Sequence, residues 1–197
     1  KLDLIDDKIF NFKSGEMSYQ KDISQVNICI SYNGKEYGNK DRIYNDIAAN
    51  VIGGSMSSRL FQEIREKKGL AYSVYTYNQY YNKGGVISTY IGTNIENYKD
   101  AVKITLNEFK KLKEKGITKF ELQKAKNKYL SKIAFSMENP RSRMSILGNY
   151  FTRKGKILNI EDLKEEIKAV NLEKINNYLN KEFLEPNITI LGNIKGR

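Results

Sequence analysis

A chain of 197 residues with 40% hydrophobic and 29% charged residues and only 2 prolines fits neither the disordered nor the collagen-like composition class. It is long enough for one domain that buries roughly 70% of its extended surface. Histidine is absent and Cys29 is the one cysteine, which excludes an internal disulfide, a Ser-His-Asp or Cys-His relay, and a zinc site of His, Glu and Cys ligands assembled from this chain alone.

Residues 1–21 are polar and turn-rich and read as a linker or N-terminal extension, with the domain expected over residues 22–197. The chain opens on Lys1 rather than a methionine, which favours an excised or processed segment. Residues 23–32 alternate as a strand that ends at the turn signal Asn33-Gly34. Within it Cys29 reads as a small buried thiol, against the alternative of a reactive one. Asp41 is placed to cap a helix bearing Ile43, Ile47, Ala48 and Val51, which Gly53-Gly54 stops. Ser57 or Ser58 is placed to cap a second, short helix carrying Leu60, Phe61 and Ile64, and Gly69 to end it in a left-handed conformation.

Residues 70–80 and 85–91 have strand character and are joined through a turn at 81–84. Thr93 with Glu96 has the spacing of a capping box before a helix with the stripe Tyr98, Ala101, Val102, Thr105, Phe109 and Leu112. After Gly116, Thr118 with Glu121 repeats the box, and Phe120, Leu122, Ala125, Tyr129, Ile133 and Ala134 supply the next apolar face. Pro140 interrupts the pattern before a helix with Met144, Leu147 and Tyr150. Shorter helices near residues 161–168 and 172–180 and a strand at 187–191 follow. This order predicts an α+β domain with helices packed on one face of a mainly antiparallel sheet.

The net charge of +11 is fed by ten lysines between Ala101 and Lys132. They read first as the solvated faces of two helices, with phosphate binding as the alternative. No zinc-finger, ribonucleoprotein or Gly-rich nucleotide motif accompanies them, so no specific nucleic acid is expected. Nor does any apolar run have the length of a membrane span, and a cytoplasmic location is the default expectation.

Residues 53–75 form the densest constellation. Gly53 and Gly54 permit a tight turn, Ser57 and Ser58 offer cap oxygens, and Gly69 resets the chain between Arg65 and Tyr72. Arg65 presents a planar donor fork and Tyr72 a hydroxyl, a pair able to hold peptide carbonyls or a developing oxyanion if metal and water came from elsewhere. The ordinary alternatives are a surface ion pair for Arg65 and a core-edge aromatic for Tyr72. Tyr75, Tyr77, Tyr80 and Tyr81 read first as ordinary strand packing and edge exposure, and alternation cannot put all four on one face.

The run from Gly53 to Tyr75 resembles the noncatalytic C-terminal half of insulinase or pitrilysin-class zinc metallopeptidases, especially bacterial relatives of mitochondrial processing peptidase. Gln25-Val26-Asn27-Ile28 before the run and Gly85 after it share the likeness, as do Gly116-Ile117-Thr118, Ser142-Arg143-Met144-Ser145 with Leu147-Gly148, and Ala169-Val170-Asn171. Ser55 departs from a third glycine common in that pattern. The resemblance implies a metallopeptidase half-domain that closes a chamber against a zinc-binding N-terminal half or separate catalytic subunit. That partner supplies zinc through His-x-x-Glu-His and a later glutamate, while this chain binds no cofactor. It further implies that Arg65 anchors a carbonyl of a peptide or unfolded polypeptide, and that Tyr72 assists the transition state. Inactivity alone is expected, as is possible self-association. A noncatalytic scaffold or peptide-binding subunit is the alternative.

Overall fold

Five strands, β1 (Gly15–Gln20), β2 (Val26–Gly34), β3 (Ala71–Tyr81), β4 (Gly84–Thr93) and β5 (Asn187–Gly192), join in the order β1-β5-β2-β4-β3. In the computed structural model, which describes residues 10–194, every pairing is antiparallel except that of β1 with β5. Along β2 the odd-even alternation is clean. Val26, Ile28, Ile30 and Tyr32 are buried, while Asn27, Cys29 and Ser31 on the other face are half-buried.

The buried face meets helices α1 (Arg42–Gly53), α2 (Tyr98–Lys115) and α6 (Leu172–Leu179). Ile47, Ile52, Phe109, Leu112 and Ile175 complete one hydrophobic core with Ile28, Ile30, Ile87 and Ile91. An aromatic cluster anchors its end: the Tyr32 ring lies 4.5 Å from Phe109 and 5.5 Å from Phe183. Burial raises the Tyr32 pKa. Outside this layer stand α3 (Lys119–Glu138), α4 (Pro140–Lys154) and α5 (Ile160–Ala169). The fold is therefore α+β, with helices packed against a largely antiparallel sheet.

Several local expectations meet a different outcome. Residues 1–9 lie outside the described residues, and residues 15–20 of the expected linker form β1. Its side chains are all exposed, so no apolar alternation marks it, and it is held instead by backbone pairing along β5. Thr93 and Glu96 make no capping box: Thr93 remains in β4 and donates to the Leu70 carbonyl at 2.5 Å, while Asn94 Oδ1 accepts from Asn97 N at 2.9 Å. Asp41 occupies the N-cap position of α1 without a side-chain bond. The box of Thr118 with Glu121 forms at α3, and Asn139 caps α4 with Pro140 in its first turn. Phe120 and Ala134 stand exposed rather than facing the core, because α3 buries the line through Leu122, Ala125 and Ile133.

Candidate functional site

The constellation of residues 53–75 begins where α1 meets β3. Gly53 packs so closely on β3 that an added Cβ would press on Thr76 Oγ1 and lie 2.7 Å from the Thr76 nitrogen. The loop after Gly54 satisfies itself. Ser58 is buried and donates to the Ser55 carbonyl at 2.5 Å, and Ser57 Oγ lies 3.2 Å from Ser55 Oγ. Neither serine caps the helix. The position falls to Leu60, which has no side-chain cap bond, because both hydroxyls are engaged inside the loop.

The expected second helix is a π-helix, Phe61–Glu66. Its wider turn sinks Leu60 and Ile64 into the core while leaving Arg65 exposed, and short π segments are frequent at functional sites. The Arg65 guanidinium lies 5.1 Å over the Phe61 ring, which steers the fork without consuming its donors. Lys67 donates to Glu63 at 2.5 Å and, ahead of a small opposing burial effect, holds that carboxyl below its ordinary pKa. Gly69 then takes φ +59°. This is the left-handed residue expected from the sequence, and Leu70 N closes the segment on Ile64 O at 2.8 Å.

Tyr72 owes its position to an irregularity. The β3–β4 register shifts between Ala71 and Ser73, so Tyr72 is the unpaired residue of a β-bulge, a device that re-aims a side chain. It is 63% exposed. Arg65 and Tyr72 thus leave the two sides of one short turn, both open to solvent at the end of the sheet where β3 begins. A cationic fork and a phenol in such positions are hydrogen-bond donors for carbonyl oxygen or for oxyanion charge.

Arg59 was not visible as a site residue in the sequence. Its Nε and Nη2 grip Glu121 at 2.7 and 2.9 Å, and Nη2 also donates to the Gly116 carbonyl at 2.9 Å. Burial alone would raise the Glu121 pKa, but the Arg59 fork and the Thr118 donors outweigh it and hold the carboxyl below its ordinary value. Lys128 reinforces the same loop by donating to the Gly54 carbonyl. Behind it, Asp46 on α1 accepts from Tyr80 at 2.5 Å, Asn78 at 2.9 Å and Tyr129 at 2.9 Å. Tyr80 therefore faces the helices, whereas Tyr75, Tyr77 and Tyr81 point to the other side.

The donor set does not fit zinc: histidine is absent, and among the described residues no group of three or more His, Cys, Asp or Glu side chains is placed to hold a metal ion. Nor is any described helix long and apolar enough to cross a membrane.

Comparison with known proteins gives the family and the fold. The chain is 37% identical over 175 residues to the uncharacterised zinc protease YmxG of Bacillus subtilis, a match covering 88% of this chain and 42% of that one. The chain thus spans less than half the length of this curated relative. Its fold is shared with a protease from Helicobacter pylori (TM-score 0.81, 19% identity, 90% of this chain and 43% of the other). A chain in complex III2 from Candida albicans also shares it (TM-score 0.82, 17% identity, 93% and 47%). Because residues 8–129, a span that includes the whole Gly53–Tyr75 constellation, match the family described as the peptidase M16 inactive domain, this chain belongs to that family.

Proposed function

We propose that the chain is the substrate-binding, chamber-closing half of a zinc-dependent endopeptidase, working with a zinc-binding half or subunit supplied by other residues. The bulge that turns Tyr72 out of the β3 ladder beside the Gly69 turn carries this reading, since a residue freed from pairing in this way is aimed at something outside the sheet. Arg65 holds a backbone carbonyl of the peptide through its donor fork. Tyr72 donates its phenol proton in a hydrogen bond to the oxygen on which charge builds, lowering the barrier only to the extent that this bond is stronger in the transition state. All bond-breaking chemistry belongs to the other half.

The test is peptide hydrolysis by this chain alone, by the zinc-binding half alone and by the two mixed. Turnover is expected only in the mixture. In that mixture Arg65→Ala and Tyr72→Phe are each expected to lower kcat/KM by about 10²-fold, the scale of one lost oxyanion donor, with unchanged thermal midpoints because both side chains are exposed. Unchanged kinetics in both variants would defeat the assignment.

A second reading is a noncatalytic scaffold or peptide-binding subunit, a role compatible with the fold this chain shares with a chain in complex III2 from Candida albicans. It expects a stable mixed complex that binds peptide without cleaving it.

A further inference from the structure

At the end of β3 opposite Tyr72, three cations gather around one ring. The Tyr37 nitrogen donates to the Tyr81 carbonyl at 2.9 Å, which fixes the loop after β2 against that end of the strand. Over the Tyr37 ring lie the guanidinium carbons of Arg42 at 4.8 Å and Arg153 at 4.6 Å, and the Lys154 ammonium at 6.0 Å. Gly38 makes room for the ammonium, since an added Cβ would lie 2.5 Å from Lys154 Nζ. Each arginine spends one N–H on a backbone carbonyl, Arg42 on Tyr37 at 3.3 Å and Arg153 on Tyr80 at 3.2 Å. A guanidinium carries five donors, so most of each fork stays uncommitted.

Like charges gathered in this way repel, and carboxylates are the usual remedy. Among the described residues, none of the three cations is ion-paired with Asp or Glu. Burial would lower the Arg42 pKa, and Asp46 is the carboxylate that outweighs it. Yet Asp46 already accepts from Tyr80, Asn78 and Tyr129, so its oxygens are largely taken. The surplus charge borders a cleft of about 820 Å³ that Tyr37, Arg42 and Lys154 help to line, a volume usual for small-molecule sites. Five cations and three carboxylates line it in all, which favours an anion. Its apolar side is aliphatic: Ile133 and Met137 of α3, Ile146 of α4 and Leu163 of α5. Each of these walls is an element of this chain, on the helix side of the sheet, so the cleft is a product of the fold itself.

We infer that this cleft binds a small amphipathic anion, its carboxylate or phosphate head held by Arg42, Arg153 and Lys154 and its aliphatic body laid against Ile133, Met137 and Ile146. A guanidinium fork suits either head. An aliphatic body is favoured over an aromatic one because the Tyr37 ring is already occupied by cations. The inference stands apart from the peptidase reading, since Arg65 and Tyr72 lie near the start of β3 and share no residue with the cleft.

The test titrates this chain with octanoate, octyl phosphate, octanamide and inorganic phosphate, following the heat of binding and the thermal midpoint. Octanoate or octyl phosphate is expected to bind about tenfold or more tightly than both octanamide, which lacks the charge, and inorganic phosphate, which lacks the body. The tighter of the two identifies the head. Binding to the folded chain raises the midpoint. Arg153→Gln and Lys154→Gln, both at exposed residues, are each expected to weaken the bound anion by roughly three- to tenfold through a lost charge-assisted hydrogen bond. Ile146→Asn is expected to weaken it by about fivefold while leaving inorganic phosphate unaffected. Lys110→Gln, on α2 and outside the cleft, is expected to change nothing.

Equal binding of octanamide or inorganic phosphate, a midpoint that does not rise, or unchanged affinity in both Arg153→Gln and Lys154→Gln overturns the inference. Equal weakening by Lys110→Gln also overturns it, by showing diffuse attraction to the net charge of +11. Repeating the titration with the zinc-binding half present is expected to leave the affinity unchanged. Loss of binding there would make the mouth of the cleft a subunit contact and overturn the inference, whatever that mixture does to peptides.

Discussion

Gly69 and Gly53 show two different reasons for a residue without a side chain. At Gly69 the reason is backbone conformation: φ is +59° and nothing lies within 4 Å of an added Cβ. Gly69→Ala is therefore expected to destabilise by about 1 kcal/mol through the left-handed conformation alone. At Gly53 the reason is contact, because the Cβ would strike Thr76, whose hydroxyl shares a buried bond with Thr89 at 2.8 Å. Gly53→Ala is expected to cost about 1–3 kcal/mol as an overpacked joint between α1 and β3. Urea midpoints check both, and a Gly69→Ala loss larger than that at Gly53 would reverse the assignment. The sequence marked Gly69 as the left-handed end of its helix, but it marked Gly53 only as a turn former and gave no sign of its contact with Thr76. The left-handed helix exit is a local signal, whereas the approach of Thr76 is tertiary.

At the scale of elements, the loop holding the π-helix is tied to the α2–α3 junction by Arg59 and Glu121, whose side chains are only 19% and 23% exposed. The capping box of Thr118 with Glu121 was legible because its partners are three residues apart. The second use of the same carboxylate was not, since Arg59 lies 62 residues away. The π-helix was illegible for a related reason: Leu60, Phe61 and Ile64 suit an α-turn equally well, and only the packing of Ile64 with the return of Leu70 selects the wider one. Arg59→Ala is expected to cost about 1–3 kcal/mol, the range for stranding a charge-assisted pair that is partly buried.

The same pair sets a pH response. Glu121 has a folded pKa lowered below its reference of 4.5, so its contribution to stability is complete above that reference. It declines as pH falls through the lowered folded value. In Glu121→Gln this part of the acid-side loss should be missing from denaturation curves between neutral and acidic pH. Retention of the full wild-type slope would show that other carboxylates carry it.

At the scale of the whole molecule, the sheet is closed by residues from opposite ends of the described chain. The α+β layering and four of the strands follow from apolar periodicity, which explains why the expected helices and strands mostly coincide with those found. β1 does not follow from it, because a strand at the sheet margin with every side chain exposed carries no burial pattern. Its evidence is in the backbone: six residues in parallel register with β5, flanked by Gly15 N to Pro186 O at 3.1 Å and Lys21 N to Gly192 O at 3.0 Å.

The domain limit expected at residue 22 therefore becomes a testable cut. Removing residues 1–21 would bare the β5 edge and uncover one flank of Ile188 and Ile190, which are core residues. The loss in stability is expected to be modest, about 1–3 kcal/mol, since the β1 side chains are exposed and the main changes are the loss of ladder bonds, each worth roughly 1 kcal/mol or less net, and of the Phe10 ring from Tyr81. The larger consequence is association. An unprotected edge beside exposed apolar strand residues pairs with other chains, so the truncated protein should show concentration-dependent light scattering at urea concentrations where the intact chain remains clear. If the truncated chain keeps both its urea midpoint and its solubility, β1 is an ornament of the sheet and the expected boundary at residue 22 is the functional one.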